Sequence, residues 1–212
     1  MAVKLKICGL TNLADAWTAV ESGVEWLGFN FYLQSPRYID PVAARTIIKQ
    51  LPEHVICVGI LVKPTLAAAR RIAAISGVRW LQLYDPLDFT DLNQLPLPAI
   101  LCFNPETYPA ESALYRNATM ILFDNRTNSR VGGTGQTFDW NRIPDSIPRE
   151  KLILAGGINP DNVQEALKRV APAIIDVASG AERAPGIKDP RKIKYLVNQI
   201  RNYNHLFTTQ QE

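Results

Sequence analysis

A cysteine ends the first apolar segment of the chain, Lys4–Cys8, and is the first candidate for chemistry. Gly9 allows a tight turn directly after it, and Thr11 or Asn12 can cap the helix that the following residues predict. The partial positive charge at a helix N-terminus favours thiolate over thiol, so we expect a lowered pKa for Cys8. The alternative is a small buried apolar residue, since free cysteine is among the most buried residue types.

Two charged side chains also follow apolar segments at positions where they can act on a ligand. Asp124 comes directly after Met120–Phe123, where partial burial would raise its pKa toward that of a usable general acid. Arg37 lies in Ser35–Tyr38, and a guanidinium there can grip a carboxylate or a phosphate through two parallel hydrogen bonds. The ordinary interpretations are a loop-start aspartate that bonds to nearby backbone and a surface salt bridge.

Histidine is poorly placed to act as the acid or the base. His54 comes before the third apolar segment, whereas the candidates above come after theirs, so His54 should lie at the opposite end of the predicted strands. His205 lies near the end of the chain. Proton transfer therefore falls to Cys8, to Asp124 or another carboxylate, or to Lys63. The sequence has no cluster of histidine and carboxylate ligands, so we expect chemistry without a metal.

Two glycine-containing turns follow the last two apolar segments and predict a phosphate site. Gly156-Gly157 precedes Asn159-Pro160, and Ser179-Gly180 comes shortly after Asp176. Glycine lets backbone N–H groups approach phosphate oxygens, and a helix N-terminus adds a favourable dipole. The alternative is that the paired glycines only make tight turns.

A long polar connection at 125–137 contains the glycine-rich core Gly132–Gly135. Long loops without secondary structure are often lids or binding loops, so we expect this one to close over a ligand. A plain flexible loop is the alternative.

Eight apolar segments alternate with helical patterns and predict the elements that position these residues. Most are continuously hydrophobic, which is typical of parallel strands buried on both faces. The predicted strands are Lys4–Cys8, Trp26–Phe31, Val55–Val62, Trp80–Leu83, Ala99–Phe103, Thr119–Phe123, Leu152–Ala155 and Ile174–Ala178. We therefore predict an α/β protein with a small single-domain (β/α)₈ barrel over residues 1–203, and a polar, frayed tail at 204–212. A doubly wound open sheet is the alternative.

Apolar residues spaced three and four apart predict amphipathic helices between most of these strands. The second helix is predicted to start at Pro41 and the seventh at Pro160, and the third, Thr65–Ser76, to stop at Gly77. Three intervening segments predict only short helices, near Phe89–Leu95, Ala110–Arg116 and Asp139–Ile143.

The composition excludes several classes of function. The chain has 212 residues, 47% of them hydrophobic, and a net charge of +3 without a basic stripe, which argues against nucleic-acid binding. The longest apolar run, Val55–Val62, is far below the roughly 20 residues of a membrane span, and the N-terminus lacks the apolar core of a signal peptide. Three cysteines without a C-x-x-C pair suit a reducing compartment, so we expect a cytoplasmic protein.

Motifs along nearly the whole chain resemble the phosphoribosylanthranilate isomerase family of tryptophan biosynthesis. They are Lys6–Thr11, Leu27–Phe31 with Ser35–Tyr38, Val58-Gly59, Leu81–Leu83, Gly132–Gly135 with Thr137–Trp140, Leu154–Gly157 with Asn159-Pro160, and Asp176 with Ser179-Gly180 and Glu182. The resemblance implies that Cys8 is the general base, that Asp124 is the general acid and that Arg37 holds the carboxylate of anthranilate. It also implies that Asp176 bonds a sugar hydroxyl and that the backbone around Gly156, Gly157, Ser179 and Gly180 holds the phosphate.

The implied reaction is a cofactor-free Amadori rearrangement. It converts N-(5-phosphoribosyl)anthranilate to 1-(o-carboxyphenylamino)-1-deoxyribulose 5-phosphate. The implied partner is thus a small phosphorylated aminosugar, and we expect no nucleic-acid or membrane partner and a monomer or a homodimer.

Three positions depart from the family pattern. Tyr84-Asp85 stands where the family usually has His-Gly, Lys63 where it has asparagine, and Gln136 where it has lysine. Two other functions are therefore kept as alternatives. One is a sugar-phosphate-binding barrel without catalysis, and the other is an aldolase that forms a Schiff base on Lys63.

Overall fold

Eight parallel strands close on themselves, because the last strand pairs with the first. The strands are β1 Lys4–Cys8, β2 Trp26–Asn30, β3 Ile56–Val62, β4 Trp80–Tyr84, β5 Ala99–Phe103, β6 Met120–Phe123, β7 Leu152–Leu154 and β8 Ile174–Val177. Each strand pairs with its neighbours in sequence, so the predicted (β/α)₈ barrel is confirmed and the open sheet is wrong.

The computed structural model describes residues 2–87, 92–106, 118–125 and 137–208. The predicted helix at Ala110–Arg116 lies outside these residues, as does the first part of the one at Phe89–Leu95. The glycine-rich core Gly132–Gly135 and the departure at Gln136 also lie outside them.

Alternation along the strands divides the buried side chains into two sets. Side chains of successive strand residues point to opposite faces, so every second one points into the barrel. On β6, for example, Met120 and Leu122 belong to the interior cluster, whereas Ile121 and Phe123 pack outward against the helices. The interior cluster consists of Trp26, Val58, Ile60, Tyr84, Ile100, Cys102, Met120, Leu122, Ile153, Ala155, Ala173 and Ile174.

The described residues form five α-helices, and the first three begin at a side-chain N-cap. They are α1 Leu13–Glu21, α2 Pro41–Ile48, α3 Leu66–Ser76, α4 Val163–Val170 and α5 Pro190–Thr208. Asn12 caps α1 by accepting from the N–H of Asp15, and Asp40 caps α2 directly before Pro41. Thr11 has another role, since its hydroxyl donates to the carbonyl of Gly186 at 2.7 Å.

The predicted start of the seventh helix at Pro160 is wrong by one turn. Helix α4 begins at Val163, and its N-cap is Asn162. The side chain of Asn162 instead donates to the carbonyl of Gly157 at 2.9 Å, which ties the preceding turn to the end of β7. Of the other short segments, Asp139–Ile143 contains a 3₁₀ helix at Trp140–Arg142, and a second 3₁₀ helix covers Leu92–Gln94.

The predicted frayed tail is also wrong for residues 204–208. Helix α5 continues to Thr208, and its residue Asn204 exchanges two hydrogen bonds with the backbone of Val3, at 2.8 and 2.9 Å. The polar composition of this segment gave no sign of the contact with Val3. An asparagine side chain that binds backbone can order a helix end without apolar burial. Residues 209–212 lie outside the described part of the chain.

Two residues other than glycine have left-handed backbone at neighbouring strand ends. Lys63 follows β3 with φ 48°, and Asp85 follows β4 with φ 44°. The N–H of Lys63 donates to the carbonyl of Tyr84 at 2.7 Å, which joins the two strand ends. These are the departures from the family pattern noted above, and glycine or asparagine adopts such backbone at lower cost.

The C-terminal ends of α3 and α4 offer a matched test of this cost. Both helices end in a left-handed residue, which is Gly77 in α3 (φ 76°) and Ala171 in α4 (φ 47°). We expect Ala171→Gly to raise the free energy of unfolding by about 1 kcal/mol, and Gly77→Ala to lower it by a similar amount. Urea denaturation measures both, and an unchanged Ala171→Gly variant would contradict the expectation.

Candidate active site

A cavity opens at the carboxyl ends of the barrel strands, the face on which barrel enzymes carry their active sites. It encloses about 640 Å³, part of it open to solvent. Its lining includes most of the predicted site residues, namely Cys8, Arg37, Asp124, Gly156, Gly157, Asp176 and Ser179. Gly180 lies in an adjoining depression that shares Gly157 and Ser179 with the cavity.

Cys8 reaches this cavity as the last residue of β1. It is paired in register with Gly28 of β2, where a Cβ atom would come within 3.0 Å of the Cys8 sulfur. Glycine at position 28 therefore leaves the thiol the space it occupies.

The predicted lowering of the Cys8 pKa is wrong. Burial raises the pKa of this thiol above its ordinary value, although the positive charges of Lys6 and Lys188 act in the opposite direction. Helix α1 begins only at Leu13, so Cys8 is not in its first turn, where the dipole acts.

A buried ion pair lies beside the thiol. Lys6 Nζ donates to Asp176 Oδ2 at 2.8 Å, and the lysine side chain is fully buried. Burial alone would lower the pKa of Lys6, but the charge of Asp176, its hydrogen bond to Lys6 and the nearby thiols together outweigh burial, and the pKa is raised. The other carboxylate oxygen, Asp176 Oδ1, is buried and has no hydrogen-bond partner, so it is available to a ligand in the cavity.

Asp124 is 5% exposed and is hydrogen-bonded within a buried group that includes Tyr84 and Gln82. Its Oδ2 accepts from the hydroxyl of Tyr84 at 3.1 Å, and that hydroxyl accepts from Gln82 Nε2 at 3.3 Å. Gln82 and Tyr84 are alternate residues of β4, so both point into the barrel.

Arg37 is paired with a carboxylate that itself belongs to a larger buried group. Its Nε and Nη2 donate to the two oxygens of Glu182 at 2.9 and 2.7 Å. Glu182 Oε1 also accepts from Lys188 Nζ at 2.7 Å, and Lys188 Nζ donates to the carbonyl of Cys8 at 2.6 Å. Since the Arg37 side chain is only 11% exposed, the surface salt bridge considered above does not describe it.

These contacts fix the charge of Glu182. Burial opposes its ionisation, but the hydrogen bonds from Arg37 and the charge of Lys188 outweigh burial and lower the pKa of the carboxyl. Gly9, with φ 76°, leaves space for the Arg37 side chain, because a Cβ atom at position 9 would lie 2.5 Å from Arg37 Cδ.

The two predicted glycine turns meet at the rim of the cavity. At Gly180 a Cβ atom would lie 2.0 Å from the carbonyl oxygen of Ile158, so no side chain fits between the turns after β7 and β8. Gly157 and Ser179, both partly buried, line the cavity as well as the adjoining depression. The arrangement suits an anion held by backbone N–H groups.

Other candidates from the sequence lie away from this cavity. Lys63 is exposed and does not line it, which removes the desolvation that a Schiff-base lysine needs. Among the other carboxylates that follow a strand, Glu106 comes after β5 and pairs with Arg142 on the surface.

Sequence reasoning assigned no role to four buried polar residues at the site, which are Lys6, Gln82, Glu182 and Lys188. Lys6 and Gln82 stand at alternate positions inside apolar strands, and that placement is the signal that would have found them. Glu182 and Lys188 lie on the short strands β9 Glu182–Ala184 and β10 Ile187-Lys188, which no periodic pattern predicted.

The fold and the site together define a (β/α)₈-barrel enzyme that carries its polar groups at the carboxyl ends of the strands. Residues 5–199 match the family model described as N-(5'phosphoribosyl)anthranilate (PRA) isomerase. The chain therefore belongs to the phosphoribosylanthranilate isomerase family, as its motifs indicated.

Relatives and solved structures agree with this assignment. N-(5'-phosphoribosyl)anthranilate isomerase of Syntrophus aciditrophicus is 38% identical over 214 residues, which cover 99% of this chain and 92% of the relative. The crystal structure of the Thermotoga maritima enzyme is 36% identical with a TM-score of 0.81, covering 94% of this chain and 99% of that one. A further structure, 33% identical with a TM-score of 0.75 and the same coverage, is in complex with reduced 1-(o-carboxyphenylamino)-1-deoxyribulose 5-phosphate.

Two kinds of feature are absent from the described residues. Within 2–87, 92–106, 118–125 and 137–208, no three or more His, Cys, Asp or Glu side chains are grouped to hold a metal ion. None of the helices in these ranges has both the length and the apolar character of a membrane span.

Replacing Glu182 tests how much its ion pairs with Arg37 and Lys188 contribute to stability. We expect Glu182→Gln to lower the free energy of unfolding at pH 7 by about 3–5 kcal/mol, because Lys188 and Arg37 would stay buried without a carboxylate. Glu165→Gln, which breaks an exposed pair with Arg169, is the control and should cost less than about 1 kcal/mol.

The pH dependence of this difference has a definite sign. Because the pKa of Glu182 is lowered on folding, its contribution is complete above the unfolded value of about 4.3 and is lost as the pH falls below it. The difference between wild type and Glu182→Gln should therefore shrink in urea denaturation below that pH. A constant difference would contradict the assignment.

The ionisation of Cys8 can be measured by alkylation. Since burial raises its pKa, we expect the rate of its reaction with iodoacetamide to keep rising beyond pH 8.5, roughly the ordinary value of a cysteine. Peptide mass spectrometry separates Cys8 from the buried Cys57 and Cys102, where burial raises the pKa of Cys57 to about 12. A rate that levels off near pH 7 would contradict the raised pKa and support the lowered one. The Cys8→Ser variant gives the background rate.

Proposed function

We propose that the chain converts N-(5-phosphoribosyl)anthranilate to 1-(o-carboxyphenylamino)-1-deoxyribulose 5-phosphate, with Cys8 as the general base and Asp124 as the general acid. The observation that carries the proposal is that a thiol and a carboxyl, from the ends of β1 and β6, line one cavity. The reaction needs an acid at one atom of the sugar and a base at another, and two such groups on separate strands can act on one ligand between them.

The reaction starts at the furanose ring. Asp124 gives its proton to the ring oxygen as the bond from that oxygen to C1′ breaks, and the open chain carries a Schiff base between C1′ and the anthranilate nitrogen. A ring oxygen leaves poorly unless it is protonated, which is why the acid is needed.

Cys8, as the thiolate, then removes the proton from C2′. The electron pair moves into the C1′–C2′ bond and gives an enolamine, which tautomerises to the ketone. Burial keeps most of this thiol protonated, while the charges of Lys6 and Lys188 favour the thiolate. The two ammonium groups therefore support the base.

The remaining cavity residues account for binding. Arg37 uses Nε and Nη2 for Glu182, and Nη1 is then the nitrogen through which it would hold the anthranilate carboxylate. The unpartnered Asp176 Oδ1 would accept from a sugar hydroxyl. The backbone around Gly156, Gly157, Ser179 and Gly180 would hold the phosphate.

Loss of anthranilate fluorescence from enzymatically generated substrate tests the proposal. We expect Cys8→Ser and Asp124→Asn to lower kcat by about 10²–10⁴, the usual contribution of an acid or base. Glu165→Gln, on the outside of α4, is the control with unchanged activity. Equal decay with wild type and both site variants would overturn the proposal in favour of a sugar-phosphate-binding barrel.

Growth gives an independent measurement in a tryptophan auxotroph that lacks this step. The wild-type chain should restore growth without tryptophan, and neither site variant should do so. Failure of the wild-type chain, when expressed and folded, would count against the proposed substrate.

A further inference from the structure

We infer that Tyr84 is a positioning residue for Asp124, which holds the carboxyl group so that Oδ1 faces the substrate. The inference rests on the proposed role of Asp124 as the acid. It concerns one of the three positions at which the chain departs from its family.

The hydroxyl of Tyr84 accepts one hydrogen bond and donates another. Gln82 Nε2 can only donate, so the Tyr84 oxygen accepts from it at 3.3 Å. The tyrosine hydroxyl in turn donates to Asp124 Oδ2 at 3.1 Å. All three side chains are at most 5% exposed, so water does not replace these contacts.

This contact makes the two oxygens of Asp124 different. Oδ2 receives the hydroxyl of Tyr84, whereas Oδ1 lies on the side of Gly156, 3.1 Å from where a Cβ atom would stand. With a donor on Oδ2, the acidic proton is placed on Oδ1. That proton is then held next to the glycine turn, whose residues Gly156 and Gly157 line the cavity.

The hydroxyl also acts during the proton transfer. The proton leaves Asp124 Oδ1 for the ring oxygen as the C1′–oxygen bond breaks, and negative charge develops on the carboxyl group. Tyr84 keeps its own proton and stabilises that charge through a hydrogen bond already in place. Because the Tyr84 hydroxyl already donates to Asp124, it does not need to reorient during the proton transfer.

Charged and titratable groups around Tyr84 keep it a donor. Burial first, and then the charges of Asp124, Cys102, Cys8 and Asp176, raise the pKa of Tyr84 well above its ordinary value. These groups come from β1, β5 and β8 and from the residue after β6, so they surround the ring from several strands. The hydroxyl therefore keeps its hydrogen at neutral pH.

The test is Tyr84→Phe, which removes one oxygen and keeps the ring. At the optimum pH of each protein, we expect kcat to fall about tenfold with KM changed less than twofold. The limb of the pH profile that belongs to Asp124 should move to higher pH, because a hydrogen bond to the ionised carboxylate is lost. Tyr195→Phe, on the exposed side of α5, is the control and should match wild type.

Each outcome separates this inference from the proposed function. If Asp124→Asn is inactive while Tyr84→Phe keeps the wild-type kcat and pH profile, the inference is overturned and the proposed function stands. A raised KM with unchanged kcat would make Tyr84 a ligand contact, which also overturns it. An active Asp124→Asn would instead remove the acid itself, and the proposed function with it.

Discussion

The ion pair between Lys6 and Asp176 is the contact on which the site depends, because it lies where the barrel closes. The two residues are partners in register across β1 and β8, and their side chains meet in the interior at 2.8 Å. Either charge alone would be costly to bury, so each makes the other possible. The pair uses one oxygen of Asp176, and the second oxygen is left facing the cavity without a partner.

A second group of charges stabilises the other side of the thiol. Glu182 is shared between Arg37 and Lys188, and Lys188 also bonds the carbonyl of Cys8. One carboxylate thus compensates both an arginine and a lysine. Because the two cations would otherwise be buried without compensation, the position of Arg37 in the cavity and the stability of the site depend on the same residue.

The sequence predicted the barrel because its strands are nearly continuous apolar runs, and such runs are typical of sheets covered on both faces. It also predicted which residues would share a cavity, since residues after parallel strands gather at one edge. The ionisation of Cys8 was mispredicted, because Asn12 caps α1 four residues later and the thiol lies outside the helix dipole. Burial then decided the pKa, and burial is not visible in a local motif.

Other differences have similar causes. Pro160 looked like a helix start, but the side chain of Asn162 bonds back to Gly157 and delays α4 by a turn. The contact between Asn204 and Val3 joins the two ends of the chain, and no local pattern reports a contact over that separation. The role of Glu182 depends on an antiparallel pair of short strands after β8, which was equally hidden.

The left-handed backbone at Lys63 and Asp85 has a consequence for how this family can vary. Asp85 turns the chain directly after Tyr84, and the Lys63 N–H binds the Tyr84 carbonyl, so the main chain that follows the Tyr84 side chain is fixed. The backbone, rather than the ring, therefore sets where that side chain points. Position 84 therefore places a side chain beside Asp124, and that side chain can differ between relatives without a change in the surrounding barrel.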